Sequence, residues 1–114
     1  MDDQILDDQA LWMNLEEKGP CVMLGCAHGG PVNTLIQVQR ISNSPQLYGL
    51  VGGTHLVERS QRYLQQTVKT FRTFGLRLIS PCHCTGFKAA THLWRAYPEA
   101  FILNFSGRVV EAKK

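Results

Sequence analysis

Three histidines in this 114-residue chain follow short apolar runs at points where the sequence turns to glycine. They are His28 in Leu24-Gly-Cys-Ala-His-Gly-Gly30, His55 in Val51-Gly-Gly-Thr-His-Leu56 and His83 in Pro81-Cys-His-Cys-Thr-Gly86. Neutral imidazole is the commonest zinc ligand in proteins. One histidine in a loop is more often a packing or hydrogen-bonding residue. Three at equivalent points favour metal binding by at least two of them.

Cysteines accompany two of these histidines. Cys82 and Cys84 flank His83, and in an extended strand the two thiols would point one way and the imidazole the other. We therefore predict that His83 is the metal ligand and that Cys26, Cys82 and Cys84 pack around the ligands without binding the ion. In the alternative, Cys82 and Cys84 bind a structural zinc, but the paired C-x2-C units typical of such sites are missing.

The composition bears on compartment and thiol chemistry. No apolar run approaches the roughly 18 residues needed to span a bilayer, and the first residues are acidic where a secretory signal is basic. We therefore expect a cytoplasmic protein without a membrane partner, in which the four cysteines are reduced. The C-x-C spacing at Cys82 also differs from the C-x-x-C of thiol oxidoreductases.

The charge distribution favours an anionic ligand. Residues 19–114 contain eleven basic and three acidic residues, a net charge of +8, which would attract anions unless it is merely a solvated surface. Thr85 and Gly86 precede a helical pattern, where backbone amides can hold an anion, so we predict that they contact the substrate. A plain helix cap and turn are the alternative. Aromatic and basic residues do not interleave as RNA recognition requires, so nucleic acid is not an expected partner.

Strand and helix patterns alternate along the chain. We predict a hairpin from residues 10–15 and 21–25, strands at 47–51, 76–79, 100–104 and 108–111, and helices at 32–41, at 57–74 and along a stripe of Phe87, Ala90, Trp94 and Tyr97. Residues 1–8 lack periodicity and are predicted to be a flexible acidic leader before one domain at 9–114. Such alternation indicates a mostly parallel sheet whose ligands gather beyond the carboxyl ends of the strands, where all three histidines fall.

Taken together, the motifs resemble those of metal-dependent hydrolases with the metallo-beta-lactamase fold, in the dihydropterin-phosphate-synthase-like branch. The residues that carry the resemblance are Asp7-Asp-Gln-Ala-Leu11, Leu24-Gly-Cys-Ala-His-Gly-Gly-Pro-Val-Asn-Thr34, Val51-Gly-Gly-Thr-His-Leu56, Ser80-Pro-Cys-His-Cys-Thr-Gly86 and Asn104-Phe-Ser-Gly107. The resemblance implies an α/β fold that is the C-terminal half of an αββα sandwich. It implies one mostly parallel sheet with an N-terminal hairpin and helices on one face.

The same resemblance assigns roles to the histidines. His28 corresponds to a ligand from the middle of the family's domain and His83 to its last histidine ligand. His55 falls where many members carry a metal-bridging acid, so it is either a metal ligand or a substrate contact. One or two zinc, manganese or iron ions are implied, activating a water for attack on an ester, an amide or a phosphoester.

One family motif is missing. The H-x-H-x-D-H cluster, which supplies most of the first metal site, does not occur in this sequence. We therefore expect the chain to be incomplete and inactive alone, and the isolated chain need not hold the metal. Half a sandwich would also expose an apolar sheet face, which predicts a homo-oligomer or pairing with a complementary N-terminal half. The alternative function is a non-catalytic half-domain that dimerises as a binding or assembly module.

Overall fold

The fold is given by a computed structural model that describes residues 10–27, 30–57, 59–104 and 110, with the backbone alone at His83. The predicted leader at 1–8, the ligand His28 and most of the predicted strand at 108–111 lie outside the described residues. Those three predictions are therefore not tested by the structure.

Four strands form one sheet in the order β1-β2-β3-β4. They are β1 (Ala10–Leu15), β2 (Gly19–Leu24), β3 (Gly49–Gly53) and β4 (Leu78–Cys82). β1 and β2 pair as an antiparallel hairpin, whereas β2 with β3 and β3 with β4 pair in parallel. The predicted N-terminal hairpin and mostly parallel sheet are therefore confirmed.

Helices form the two connections between the parallel strands and follow the last one. They are α1 (Pro31–Ser42), α2 (Gln61–Phe71) and α3 (Phe87–Ala96), with 3-10 turns at Arg72–Phe74 and His83–Thr85. α2 begins later than predicted because the Ser60 hydroxyl caps it, accepting the Tyr63 N–H at 3.1 Å. None of the helices in the described part of the chain has the length and apolar character needed to cross a membrane.

The main core lies between the three helices and one face of the sheet. Val22, Leu50 and Ile79 are neighbours across β2, β3 and β4, and each is fully buried. Side chains from all three helices pack in the same cluster, including Leu35, Phe71 and Leu93. The helices therefore cover one face of the sheet, as predicted.

The opposite sheet face is only partly covered. Leu11, Met23 and Val51 lie side by side on it in register, as do Met13 and Cys21. Leu11 is 71% exposed and Met13 is 52% exposed. We call the Leu11, Met13, Met23 and Val51 surface the open sheet face.

Two predictions near the C-terminus are corrected. The α3 stripe of Phe87 and Trp94 is not the buried one, because these side chains are 89% and 56% exposed while Ala89 and Leu93 are buried. Residues 100–104 form no extended strand and contribute a single parallel bridge from Phe101 to Ile79.

Candidate metal centre

The carboxyl ends of β2, β3 and β4 lie side by side at one edge of the sheet. The register pairs Leu24 with Gly52 and Gly53 with Cys82, so the segments that follow the three strands start from neighbouring positions. These segments belong to the three histidine motifs. The parallel topology therefore brings together parts of the chain that are about thirty residues apart.

Three potential metal-binding side chains meet at this edge: Cys26 after β2, His55 after β3 and Cys84 after β4. Their donor atoms all lie within 4.8 Å of one another. Cys26 Sγ is 2.8 Å from Cys84 Sγ and 3.5 Å from His55 Nδ1. The His55 backbone N–H donates to Cys84 Sγ at 3.1 Å, and the Cys84 thiol donates to the Cys26 carbonyl at 3.2 Å. We call Cys26, His55 and Cys84 the Cys-His-Cys cluster.

Two glycines at the end of β3 permit this convergence. A Cβ on Gly52 would run into the Leu24 carbonyl oxygen, and Gly52 also has a φ of +115°. A Cβ on Gly53 would lie 2.6 Å from the Gly25 carbonyl oxygen and 3.2 Å from Cys84 Sγ. The loops after β2 and β4 can close over β3 because neither position carries a side chain.

The backbone at the cluster adopts an uncommon conformation. His55 and Ala27 have φ values of 52° and 63°, in the left-handed region that few non-glycine residues occupy. Such residues persist only where the surrounding contacts hold them, and they concentrate at functional sites. The conformation turns the chain sharply after β3 and places the half-buried His55 ring beside Cys26.

Thr85 directly follows Cys84 in the sequence and is buried. Its side chain is 2% exposed, and its Oγ1 lies 2.7 Å from Thr54 Oγ1 and donates to the Cys82 carbonyl at 2.9 Å. Gly86 has a φ of +80° and precedes α3, with a Cβ position only 2.9 Å from Val57. The described hydrogen bonds of Thr85 are thus structural, and the anion contact through Thr85 and Gly86 stays a prediction.

Of the remaining predicted site residues, Cys82 is the last residue of β4 and His83 follows it. The backbone of His83 opens the 3-10 turn that follows β4, directly before Cys84. The alternation expected for Cys82, His83 and Cys84 in an extended strand is wrong. β4 ends at Cys82, and the next three residues form a 3-10 turn. Cys82 lies outside the Cys-His-Cys cluster. Burial, followed by the nearby Cys84, raises the pKa of the Cys82 thiol.

The contact between Cys26 and Cys84 was not predicted from the sequence. The two residues are 58 positions apart, and no local pattern relates them. A signal was available nonetheless, since each cysteine lies two residues after the end of its strand. Strands β2 and β4 flank β3 in the sheet, so equivalent positions beyond their ends can meet over its end.

The distances between donor atoms in the Cys-His-Cys cluster can be compared with those between the ligands of a tetrahedral zinc ion. Tetrahedral zinc with ordinary bond lengths places sulfur and nitrogen ligands about 3.6 Å apart and two sulfur ligands about 3.8 Å apart. The 3.5 Å between Cys26 Sγ and His55 Nδ1 is a hydrogen-bond distance as well, and the 2.8 Å between the two sulfurs is shorter than the spacing of two thiolate ligands on one tetrahedral ion. Imidazole and thiol are both donor types that zinc binds. That the cysteines pack beside histidine ligands stays a prediction.

Two known proteins are similar to this chain in sequence over most of its length. No protein-family model matches the chain. The chain is 30% identical over 95 residues to 7,8-dihydropterin-6-methyl-4-(beta-D-ribofuranosyl)-aminobenzene-5'-phosphate synthase of Methanocaldococcus jannaschii, and the match covers 83% of the chain. It is 34% identical over 108 residues to an uncharacterized protein of the same organism, and that match covers 95% of the chain.

A solved structure gives the fold relationship. The crystal structure of a metal-dependent hydrolase of the beta-lactamase superfamily superposes with a TM-score of 0.83 at 29% identity and covers 93% of the chain. The chain spans 32% and 38% of the lengths of the two curated relatives and 41% of the solved one. In its motifs, sheet order and structure, this chain is similar to metal-dependent hydrolases of the metallo-beta-lactamase superfamily and corresponds to part of that fold.

Proposed function

We propose that this chain supplies part of the metal centre of a hydrolase that acts on a phosphoester or a related anionic substrate. The observation that carries the proposal is the convergence of Cys26, His55 and Cys84 at the carboxyl ends of three parallel strands. This is the edge of an α/β sheet where ligands bind. The structural similarity to a metal-dependent hydrolase supports the same conclusion.

His28, His55 and His83 are the proposed ligands. Cys26 contacts His55 through Nδ1, and a partner on one ring nitrogen orients the imidazole and selects the nitrogen that carries its hydrogen. With that hydrogen on Nδ1, Nε2 presents its lone pair to a metal. A bound zinc, manganese or iron ion would supply Lewis acidity and a water activated for attack.

Several features support an anionic substrate. The net charge of residues 19–114 is +8. Helices α1 and α3 begin just beyond β2 and β4, and neither carries an acidic residue in its first turn. The positive ends of both helix dipoles therefore lie at the metal edge, where they favour negative charge. The name of the synthase relative also includes a 5'-phosphate.

We propose that the centre is completed by residues from outside this sequence. The chain spans 32% of the curated synthase and 41% of the solved hydrolase, and the H-x-H-x-D-H cluster is absent here. The open sheet face supports pairing with a second layer, because Leu11 and Met13 are largely exposed on it. A complementary N-terminal half is the proposed cover.

A complementation experiment tests the proposal. The chain is mixed with a polypeptide carrying the unmatched part of the Methanocaldococcus jannaschii synthase, together with zinc or manganese. Metal per chain is measured by plasma mass spectrometry, and hydrolysis is measured with a nitrophenyl phosphodiester. We expect weak metal binding alone, with stoichiometric binding and cleavage in the mixture. A mixture that associates but binds no metal and cleaves nothing would overturn the proposal.

A second candidate function is an assembly module that dimerises through the open sheet face without catalysis. The exposure of Leu11 and Met13 favours it as well, because two such faces could cover each other. Native mass spectrometry separates the two functions, since it reports subunit number and bound ions together. A metal-free homodimer that persists when the complementary half is added supports the assembly module, whereas a metal-loaded complex with that half supports the hydrolase.

A further inference from the structure

The Cys26 and Cys84 thiols form the closest sulfur pair in the described part of the chain. Neither cysteine takes part in a disulfide bond, and their Sγ atoms are 2.8 Å apart. A disulfide bond is about 2.05 Å long, so bond formation needs a closure of roughly 0.8 Å.

The pair is held together by more than the two side chains. The Cys84 thiol is anchored by the His55 N–H and by the Cys26 carbonyl, which joins the three loops at one point. Gly53 has no side chain, so the loops after β2 and β4 approach each other closely over the end of β3. Both cysteines are half-buried, so a small reagent can reach them without unfolding of the core.

The other two cysteines provide a contrast within the same chain. Cys21 lies within β2, in register with Met13 on the sheet face opposite to the helices, and is 8% exposed. Burial raises the pKa of its thiol, which lowers its reactivity at neutral pH. Cys82 ends β4 and lies outside the Cys-His-Cys cluster.

We propose that Cys26 and Cys84 are a redox-active thiol pair that closes reversibly to a disulfide, with a low-molecular-weight disulfide as the oxidant. The thiolate of one cysteine attacks a sulfur of the oxidant, forms a mixed disulfide and releases one reduced thiol. The second cysteine then attacks the protein sulfur of that mixed disulfide and releases a second reduced thiol. The two cysteine protons leave on the two released thiols, and the oxidant gains the two electrons that the cysteines lose.

Closing this bond would tie the loops after β2 and β4 across the end of β3, next to His55. The bridge would join residues 58 positions apart. It would therefore restrict the unfolded chain strongly. This proposal rests on the thiol geometry alone and holds whether or not the chain completes a hydrolase.

The test uses the whole metal-free chain and oxidised glutathione. After oxidation, the protein is denatured, alkylated and weighed intact, and the cross-linked peptides are mapped. We expect a loss of two of the four alkylatable thiols, one cross-link between Cys26 and Cys84, a rise in melting temperature and full reversal by dithiothreitol.

Matched variants complete the experiment. Cys21→Ser removes a cysteine remote from the pair and should still lose two thiols. Cys26→Ser and Cys84→Ser should form only a mixed disulfide with glutathione on the remaining partner. A wild-type chain that keeps four thiols, or that bridges any other cysteine pair, overturns the proposal. Peptide mapping of the wild-type chain decides the outcome even where a variant fails to fold.

Discussion

The hydroxyl oxygens of Thr54 and Thr85 lie 2.7 Å apart in a region closed to solvent, where the two residues are 0% and 2% exposed. Thr54 precedes His55, and Thr85 follows Cys84. The bond therefore joins the end of β3 to the turn before α3 and holds two members of the Cys-His-Cys cluster in place.

Replacing Thr85 with valine should destabilise the fold. The substitution keeps the side-chain shape but removes the partner of the Thr54 hydroxyl and of the Cys82 carbonyl. We expect the free energy of unfolding to fall by about 1–3 kcal/mol, measured by urea denaturation. Thr91→Val is the control, because the Thr91 hydroxyl bonds to the Phe87 carbonyl on the exposed side of α3. Equal losses in the two variants would show that burial of the bond adds nothing.

Gly53→Ala should force the loops of the cluster apart. The new Cβ would lie 2.6 Å from the Gly25 carbonyl oxygen, a backbone atom that can move only with its loop. We expect a loss of about 1–3 kcal/mol in unfolding free energy and slower disulfide formation between Cys26 and Cys84. Gly49→Ala meets only side-chain atoms, of Leu78 and Cys21, and should leave the disulfide rate unchanged. Equal disulfide rates in the two variants would contradict the prediction.

Removal of the His55 imidazole should weaken metal binding. If His55 is a ligand, His55→Ala should lower the zinc affinity of the complemented protein at least about tenfold, measured by competition with a fluorescent chelator. His92→Ala is the matched control, because His92 lies on α3 within 3.5 Å of Gln61 and outside the cluster. The same affinity for both variants would remove His55 from the metal centre.

Charge on the open sheet face should prevent association. We expect the double variant Leu11→Glu, Met13→Glu to be monomeric and unable to bind a complementary half, because burying a carboxylate without a partner is costly. Light scattering and a pull-down measure the two outcomes. Ile41→Glu, at a position on α1 that is 60% exposed, is the control and should leave association intact. Unchanged association in the double variant would place the interface elsewhere.

Stability should decline at high pH in a way that depends on Cys21. Burial raises the pKa of this thiol in the folded state, so the folded protein holds its proton more tightly than the unfolded chain does. The resulting stability is fully present below the ordinary cysteine pKa of about 8.5 and is lost as the pH rises through the folded pKa. We expect Cys21→Ala to show a smaller fall in melting temperature than wild type between about pH 8 and pH 10. Identical slopes would contradict the assignment.

Much of the fold was readable from the sequence because local patterns and topology agree. The hairpin predicted from residues 10–15 and 21–25 is present, and the helix predicted at 57–74 is present over the shorter range Gln61–Phe71. The pattern in α3 misled, since both Phe87 with Trp94 and Ala89 with Leu93 follow helical spacing. The prediction followed the first pair, yet the second pair lies in the main core.

The sequence by itself determined that three motifs end parallel strands, because alternation of strand and helix leaves the carboxyl ends at one edge. It did not determine which atoms meet there. The tertiary structure placed Cys26 against Cys84 and His55 beside both. The reason is physical: the contact depends on strand order, on two missing side chains at Gly52 and Gly53, and on the 3-10 turn that follows β4 after Cys82. Strand order brings together residues that are far apart in the chain, and no local pattern reports that contact.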